Sequence, residues 1–241
     1  MLGGVEQPPF FLKKSVVLYY INMKLTITVP TTLSDMTLHQ YQRFVDIQNQ
    51  NDDQTFIFQK MIEIFCGLDL KDTFKLKVSD VSDISQSIIK ILETKPDLIQ
   101  RFWYNEIEYG FIPNLEEITL GEFVDLESYM KEWKDMHLAM NVLYRPITIS
   151  KKGKYQIKDY EASDTDIMKK MPLDVCFSSL LFFYNLGIDL SSNLMDYLEE
   201  EQWNNLSQIE TSSTKGGVGI QQFTNSLKEI LQSSKISPNK I

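Results

Sequence analysis

The segment whose residue types best suit phosphate chemistry is Thr214-Lys215-Gly216-Gly217-Val218-Gly219. A lysine heading a glycine run can present backbone N–H groups to a phosphate. A working loop also needs a second lysine and a Ser or Thr right after the last glycine, to reach phosphate and Mg²⁺. Ile220 and Gln221 stand there instead, and residues 207–213 do not read as the buried strand from which such a loop springs. A hinge built on glycine's freedom is the expectation, with no nucleotide cofactor. The two histidines, His39 and His137, have no His, Cys or carboxylate at i+4 in a zinc arrangement, so no metal is expected. Cys66 and Cys176 each sit in an apolar helical run and read as buried, reduced thiols. Neither carries a nucleophile signature, and no Gly-x-Ser-x-Gly elbow occurs. Glu106 with Glu108, and the run Glu199 to Glu201, read as solvated faces rather than acid/base pairs. No catalytic residue is expected, and the chain does not read as an enzyme.

Bulk properties narrow the partners. The 43% apolar and 24% charged content is that of an ordinary globular chain, and the 241 residues can bury a real core. A formal net charge of -9 opposes sequence-independent binding to DNA, which rests on Lys and Arg neutralising phosphates. Among the aromatic clusters, Phe182-Phe183-Tyr184 has no basic neighbour. Arg101-Phe102-Trp103-Tyr104 comes nearer a base-stacking pattern but is expected to pack in the core. Direct nucleic-acid binding is therefore not expected. The longest apolar stretch, Val175 to Leu186, reads as too short for a bilayer, and no membrane partner is expected. Near the start, Lys13 and Lys14 directly follow Pro8-Pro9-Phe10-Phe11-Leu12, and Ser15 to Tyr20 reads as a strand. A secretory leader is not expected, and synthesis in a cytosol is.

The elements that would position these residues repeat. Val29-Pro30, Leu33-Ser34-Asp35-Met36-Thr37-Leu38, Tyr41 and Phe44 are matched by Ile112-Pro113, Leu115-Glu116-Glu117-Ile118-Thr119-Leu120, Phe123 and Leu126. Upstream, Tyr20 to Thr28 and Trp103 to Phe111 each read as two short strands joined at an Asn-centred turn. Downstream, Met61 to Phe65 matches Met140 to Tyr144. Asp80-Val81, Ile84, Ile88 and Leu92 match Asp174-Val175, Ser178, Phe182 and Leu186. Each copy reads as a β-hairpin followed by three helices. Thr37 and Thr119 are the expected N-caps, with Asp35 and Glu117 placed to suit the helix dipole. Phe58, Ile62 and Phe65, and Trp133, Met136, Met140 and Leu143, are the expected core faces of the second helices. Gly67 and Pro146 are their expected stops, and the third helices are expected to start near Ser79-Asp80 and Pro172-Leu173-Asp174.

The predicted fold is thus α+β and mainly helical: two diverged copies of a hairpin plus three-helix unit, with a C-terminal tail helix. Residues 1–22 form an extension with a first strand, 20–98 copy one and 99–203 copy two. No Pro/Gly-rich linker separates Leu92 from Phe102, so one body is expected. Copy two carries an insertion at 147–158 that reads as an extra hairpin with a basic turn. Lys151, Lys152 and Lys154 are either simply solvated or a finger that touches an acidic partner or a phosphate backbone. Residues 204–241 read as a flexible linker and an amphipathic segment with Ile220, Phe223, Leu227, Ile230 and Leu231 on one face. That segment suits docking on its own body or on a neighbour equally.

Four segments carry a family resemblance. Met23 to Leu33, Gly110-Phe111-Ile112-Pro113-Asn114-Leu115, Ala139 to Pro146 and Met171-Pro172-Leu173-Asp174-Val175 resemble an uncharacterised virion-associated protein family of crAss-like Bacteroidales phages. The resemblance covers about residues 23 to 203 and transfers no catalytic residue. A shorter, weakly specific similarity, in the Thr-Leu-x-x-Tyr/Phe helix and the following helix with its Gly-Leu stop, is to phage tail assembly chaperones. The resemblance implies a non-catalytic structural component of a phage particle, in the tail or head-to-tail region, localised to the virion after synthesis in the host cytoplasm. Its implied partners are other phage structural proteins or further copies of itself in a ring. An assembly chaperone absent from the finished particle is the alternative, and a nucleotide-binding protein the second.

Overall fold

Thr37 and Thr119 start helices by the same device. Each accepts the backbone N–H at N3 with its hydroxyl, and the N3 side chain, Gln40 or Glu122, accepts the threonine's own N–H. Such a reciprocal box satisfies two of the orphan donors at a helix start. The computed structural model describes residues 14–20, 23–162, 165–204, 225–226 and 228–230. Side chains are described at 26–162, 165–190, 192, 225–226 and 228–230.

The chain runs β1 (Lys14–Tyr20), β2 (Met23–Val29), α1 (Leu38–Gln50), α2 (Gln54–Cys66), α3 (Leu70–Thr73), α4 (Val78–Leu92), β3 (Arg101–Tyr104) and β4 (Ile107–Phe111). It continues with α5 (Leu120–Tyr129), α6 (Met136–Leu143), β5 (Tyr144–Lys151), β6 (Lys154–Ile157) and α7 (Leu173–Asn204). The fold is α+β and mainly helical, with a four-stranded antiparallel sheet in the order β3-β4-β5-β6. Strands β1 and β2 form a separate two-stranded sheet. Asn105 and Glu106 turn β3 into β4 with φ of 48° and 64°, the left-handed pair that a two-residue hairpin requires. The corresponding turn at Ile21-Asn22 lies outside the described residues.

Several expectations need correction. Asp35 does not serve the α1 dipole: its carboxylate accepts from the Thr31 and Thr32 N–H groups, at 2.8 and 3.1 Å, and so closes the preceding 3-10 turn at Leu33–Asp35. Gly67 does end α2, in the left-handed conformation with φ 68°. Pro146 does not end α6. That helix stops at Leu143, and Pro146 lies inside β5, opposite Tyr109. The hairpin expected at 147–158 is therefore longer, because its first strand begins at Tyr144 and joins β4. Proline fits there by presenting its carbonyl, which accepts from Lys158 N–H at 2.9 Å. The first half contains the single-turn helix α3 beyond the three helices expected there, and in α2 Ile57, Met61 and Ile64 are buried where Phe58 is only partly so.

Helix α7 is the centre of the packing. Over residues 173–184 it buries almost every side chain, including Phe177, Leu180, Phe183 and Tyr184. Ser178 and Ser179 are buried too, and each hydroxyl donates to the carbonyl three residues back, at 2.8 Å. The window Leu173–Leu190 is long and apolar enough to cross a membrane by length and composition, because the helix continues beyond Leu186. Within the protein 61% of that window is buried, as in a core helix. Tyr41 of α1 meets Trp133 and Phe177 edge to face, with ring centroids 4.8 and 5.0 Å apart, so residues from early, middle and late in the chain share one contact. The buried apolar residues of both halves form one core cluster. Leu38 N–H donates to Met171 and Leu173 N–H to Met36, at 3.1 and 3.0 Å, so the entries to α1 and α7 are tied together.

Phe177→Ala should cost about 3–5 kcal/mol of unfolding free energy. Thr37→Ala should cost about 1 kcal/mol, through loss of a cap alone. Denaturant unfolding of the two variants beside the parent checks both the values and their order.

Candidate functional site

The basic turn is built by backbone geometry and held by an aromatic stack. Lys152 and Gly153 have φ of 51° and 79°, closing β5 on β6 through a two-residue turn with Lys151 opposite Lys154. All three lysines are exposed, and none has an ion pair among the described residues. Arg101 of β3 reaches under the tip. It donates to Ser150 Oγ and to the Gly153 carbonyl at 3.1 and 3.2 Å, and its guanidinium lies 4.4 Å from the Tyr155 ring centre. The Tyr155 ring packs on Gly110 of β4, where a Cβ would lie 2.5 Å from the nearest ring carbon. Its hydroxyl donates to the Phe111 carbonyl at 2.7 Å. Only glycine permits so close an approach. The hairpin is therefore a fixed projection of the sheet. Phe102 is in the core as expected, but Trp103 is 43% exposed, because strand alternation turns it to the opposite face.

Helix α5 inverts the usual arrangement. Its inward side buries Glu122 and Leu126, and its outward side carries Leu120, Phe123 and Val124. Glu122 is buried because it serves two partners. It caps the helix at Thr119 and pairs with Arg145 of β5 at 2.7 Å. Burial by itself would raise its carboxyl pKa; the Thr119 hydrogen bonds and the Arg145 charge outweigh it and hold the group below its ordinary value. Beside this pair, Tyr160 donates to Asp125 at 2.6 Å.

A cleft of about 620 Å³ lies between α1 and the 3-10 turn Trp133–Asp135, lined by His39, Gln42, Arg43, Lys131, Lys169 and Ile230. Ile230 is 4% exposed, and Trp133 Nε1 donates to its carbonyl at 3.3 Å. At this residue the tail segment docks on its own body. The other tail residues singled out by the sequence, Ile220, Phe223, Leu227 and Leu231, lie outside the described residues, as does the Thr214–Gly219 loop. The side chains of Glu199 to Glu201, within α7, are likewise not described.

His39 lies in α1 and His137 in α6. Gln42 Nε2 stands 3.2 Å from His137 Nδ1 and donates to the Trp133 and Lys134 carbonyls at 2.7 and 3.1 Å, so His137 belongs to a buried packing network. Burial and then Lys169 push both histidines below their ordinary pKa. Among the described residues no group of three His, Cys, Asp or Glu is placed to hold a metal. Burial pushes the Cys66 thiol up to about 12 and raises Cys176 as well, so both are neutral thiols near pH 7. Glu108 pairs with Arg101 at 3.7 Å.

Comparison with known proteins finds no family model, no curated protein and no solved structure that matches this chain.

The sequence singled out the basic turn and Ile230, and the structure places them apart, on the sheet and at the α1 cleft. The outward apolar side of α5 was missed. Leu126 and the trio Leu120, Phe123 and Val124 fall on opposite sides of one short helix, so periodicity could not choose. The one signal was Glu122, which must turn inward once it both caps the helix and meets Arg145.

Two outcomes follow from this geometry. Trp133→Phe keeps a ring in the core but removes the donor to Ile230, so limited proteolysis should release the tail sooner while the body stays resistant. The depressed Glu122 pKa contributes stability above its unfolded value, and this is lost as pH falls through the folded value. Glu122→Gln should therefore be less stable near neutrality, with its pH–stability curve converging on the parent's under acid conditions.

Proposed function

We propose that the protein is a non-catalytic structural component of a bacteriophage virion, in the tail or head-to-tail region, acting through protein–protein contacts. The phage setting is supported by the resemblance of the four segments between residues 23 and 175. The contact role is carried by one observation. Helix α5 turns Leu120, Phe123 and Val124 outward together on one face, 79%, 49% and 52% exposed. Contiguous exposed apolar side chains on one helix are a feature of contact surfaces. The rigid basic hairpin offers a second surface of opposite character.

The two halves are diverged copies of one unit, supported by their shared order of hairpin, 3-10 turn, boxed helix and second helix, and by identical use of Thr37 and Thr119. The copies have diverged most where β5 and β6 extend the second hairpin into a four-stranded sheet. An experimental structure in which 23–92 and 107–186 do not superimpose would overturn the duplication.

Mass spectrometry of purified particles should detect the protein at a stoichiometry comparable with other tail components. Presence during assembly but absence from finished particles would replace this proposal with the chaperone alternative.

A further inference from the structure

The outward arc of α5 has features that no contact within the described chain uses. Beside Leu120, Phe123 and Val124 stands Gly121, with nothing within 4 Å of the place a Cβ would occupy. Gly121 is the second residue of α5, and no close packing among the described residues accounts for the missing side chain. On this face it would let another backbone approach closely. The rim is acidic: Glu116 and Glu117 lie on the 3-10 turn before the helix and Glu127 one turn beyond Phe123, all exposed. None of the three is ion-paired among the described residues.

The β5–β6 tip has the complementary character. Ile149, 56% exposed, stands with Lys151, Lys152 and Lys154, whose ammonium groups are equally without ion pairs among the described residues. Arg101 and Tyr155 fix the tip to β3 and β4 of its own chain, so it is presented already ordered. Ordering before contact removes part of the entropic cost of association.

We infer that the β5–β6 hairpin of one copy docks on the acidic-rimmed α5 face of a second copy, head to tail. The inference rests on the contact role proposed above and names its partner as another molecule of this chain. Charge chooses the hairpin over a second α5. A two-fold α5–α5 contact would bring both sets of carboxylates together, whereas the hairpin sets lysines against Glu116, Glu117 and Glu127. The apolar residues, Ile149 on one side and Leu120, Phe123 and Val124 on the other, supply the desolvated centre, and the exposed ion pairs supply register and salt sensitivity. Made once between successive copies, such a contact is heterologous and propagates into a ring or a filament.

Sedimentation analysis of the full chain tests this. The parent should self-associate with rising concentration and dissociate as salt is raised. The triple variant Lys151→Glu/Lys152→Glu/Lys154→Glu should lose association, as should Glu116→Lys/Glu117→Lys/Glu127→Lys. Mixing the two should restore it, because each reversed hairpin then meets a reversed α5 face. Val124→Arg should abolish association with circular dichroism and thermal unfolding unchanged, since the side chain is exposed. A parent that stays monomeric at low salt into the submillimolar range would overturn the inference. So would association that survives both reversals, reversed variants that fail to co-assemble, or self-association that the glutamate reversal strengthens and the lysine reversal leaves alone. Presence in particles with a monomeric isolated chain removes this contact and leaves the virion role. Absence from particles with self-association intact does the opposite.

Discussion

A helix buried on every side must be apolar on every side and must satisfy its own polar groups. The rest of this protein is arranged around that demand in the first three turns of α7. Phe177, Leu180 and Phe183 take partners from different elements, and Ser178 and Ser179 return their hydroxyls to the helix's own carbonyls. Surrounding such a helix requires layers from both halves of the chain. Tyr41 from α1 and Trp133 from the turn before α6 meet over Phe177, and Tyr144 donates its hydroxyl to Ile99 at 2.8 Å beside them. The backbone bridge between Met36–Leu38 and Met171–Leu173 aligns α1 with α7, and Ser34 donates to Asp174 at 2.6 Å at the same junction. Neither half has its own share of this arrangement; the core is common.

Polar groups enclosed by that core decide what faces outward. Arg145 follows directly on Tyr144, so once Tyr144 is buried Arg145 projects from the other face of β5 toward α5. A guanidinium held there needs a carboxylate, because an unpaired buried charge is far more costly than a paired one. Glu122 supplies it and caps α5 at the same time. Its inward turn rotates Leu120, Phe123 and Val124 to the surface. The exposed apolar face is thus a consequence of an ion pair on the opposite side of the helix.

The hairpin is ordered by a similar economy of side chains. Gly110 leaves room for the Tyr155 ring, the ring carries the Arg101 guanidinium, and the guanidinium holds the turn through Ser150 and Gly153. A tip of lysines would otherwise sample many positions; here Tyr155 of the hairpin itself, with Arg101 and Gly110 of the neighbouring strands, holds it in one.

Much was legible in the residues themselves. Local chemistry wrote the caps at Thr37 and Thr119, the stop at Gly67, the two-residue turn at Asn105 and the basic turn at Lys151–Lys154, because each depends on groups a few positions away. Composition and periodicity gave a mainly helical α+β chain with a long apolar run, Val175 to Leu186, interrupted by Ser178, Ser179 and Asn185. What depends on residues distant in sequence was not legible. Pro146 looked like a helix stop until β4 offered its edge as a strand partner. Which side of α5 faces the core could not be read from a pattern apolar on both sides. Only the meeting of Glu122 with Arg145 selected it, since burying one charge fixes where its partner must be and leaves the apolar face to the surface.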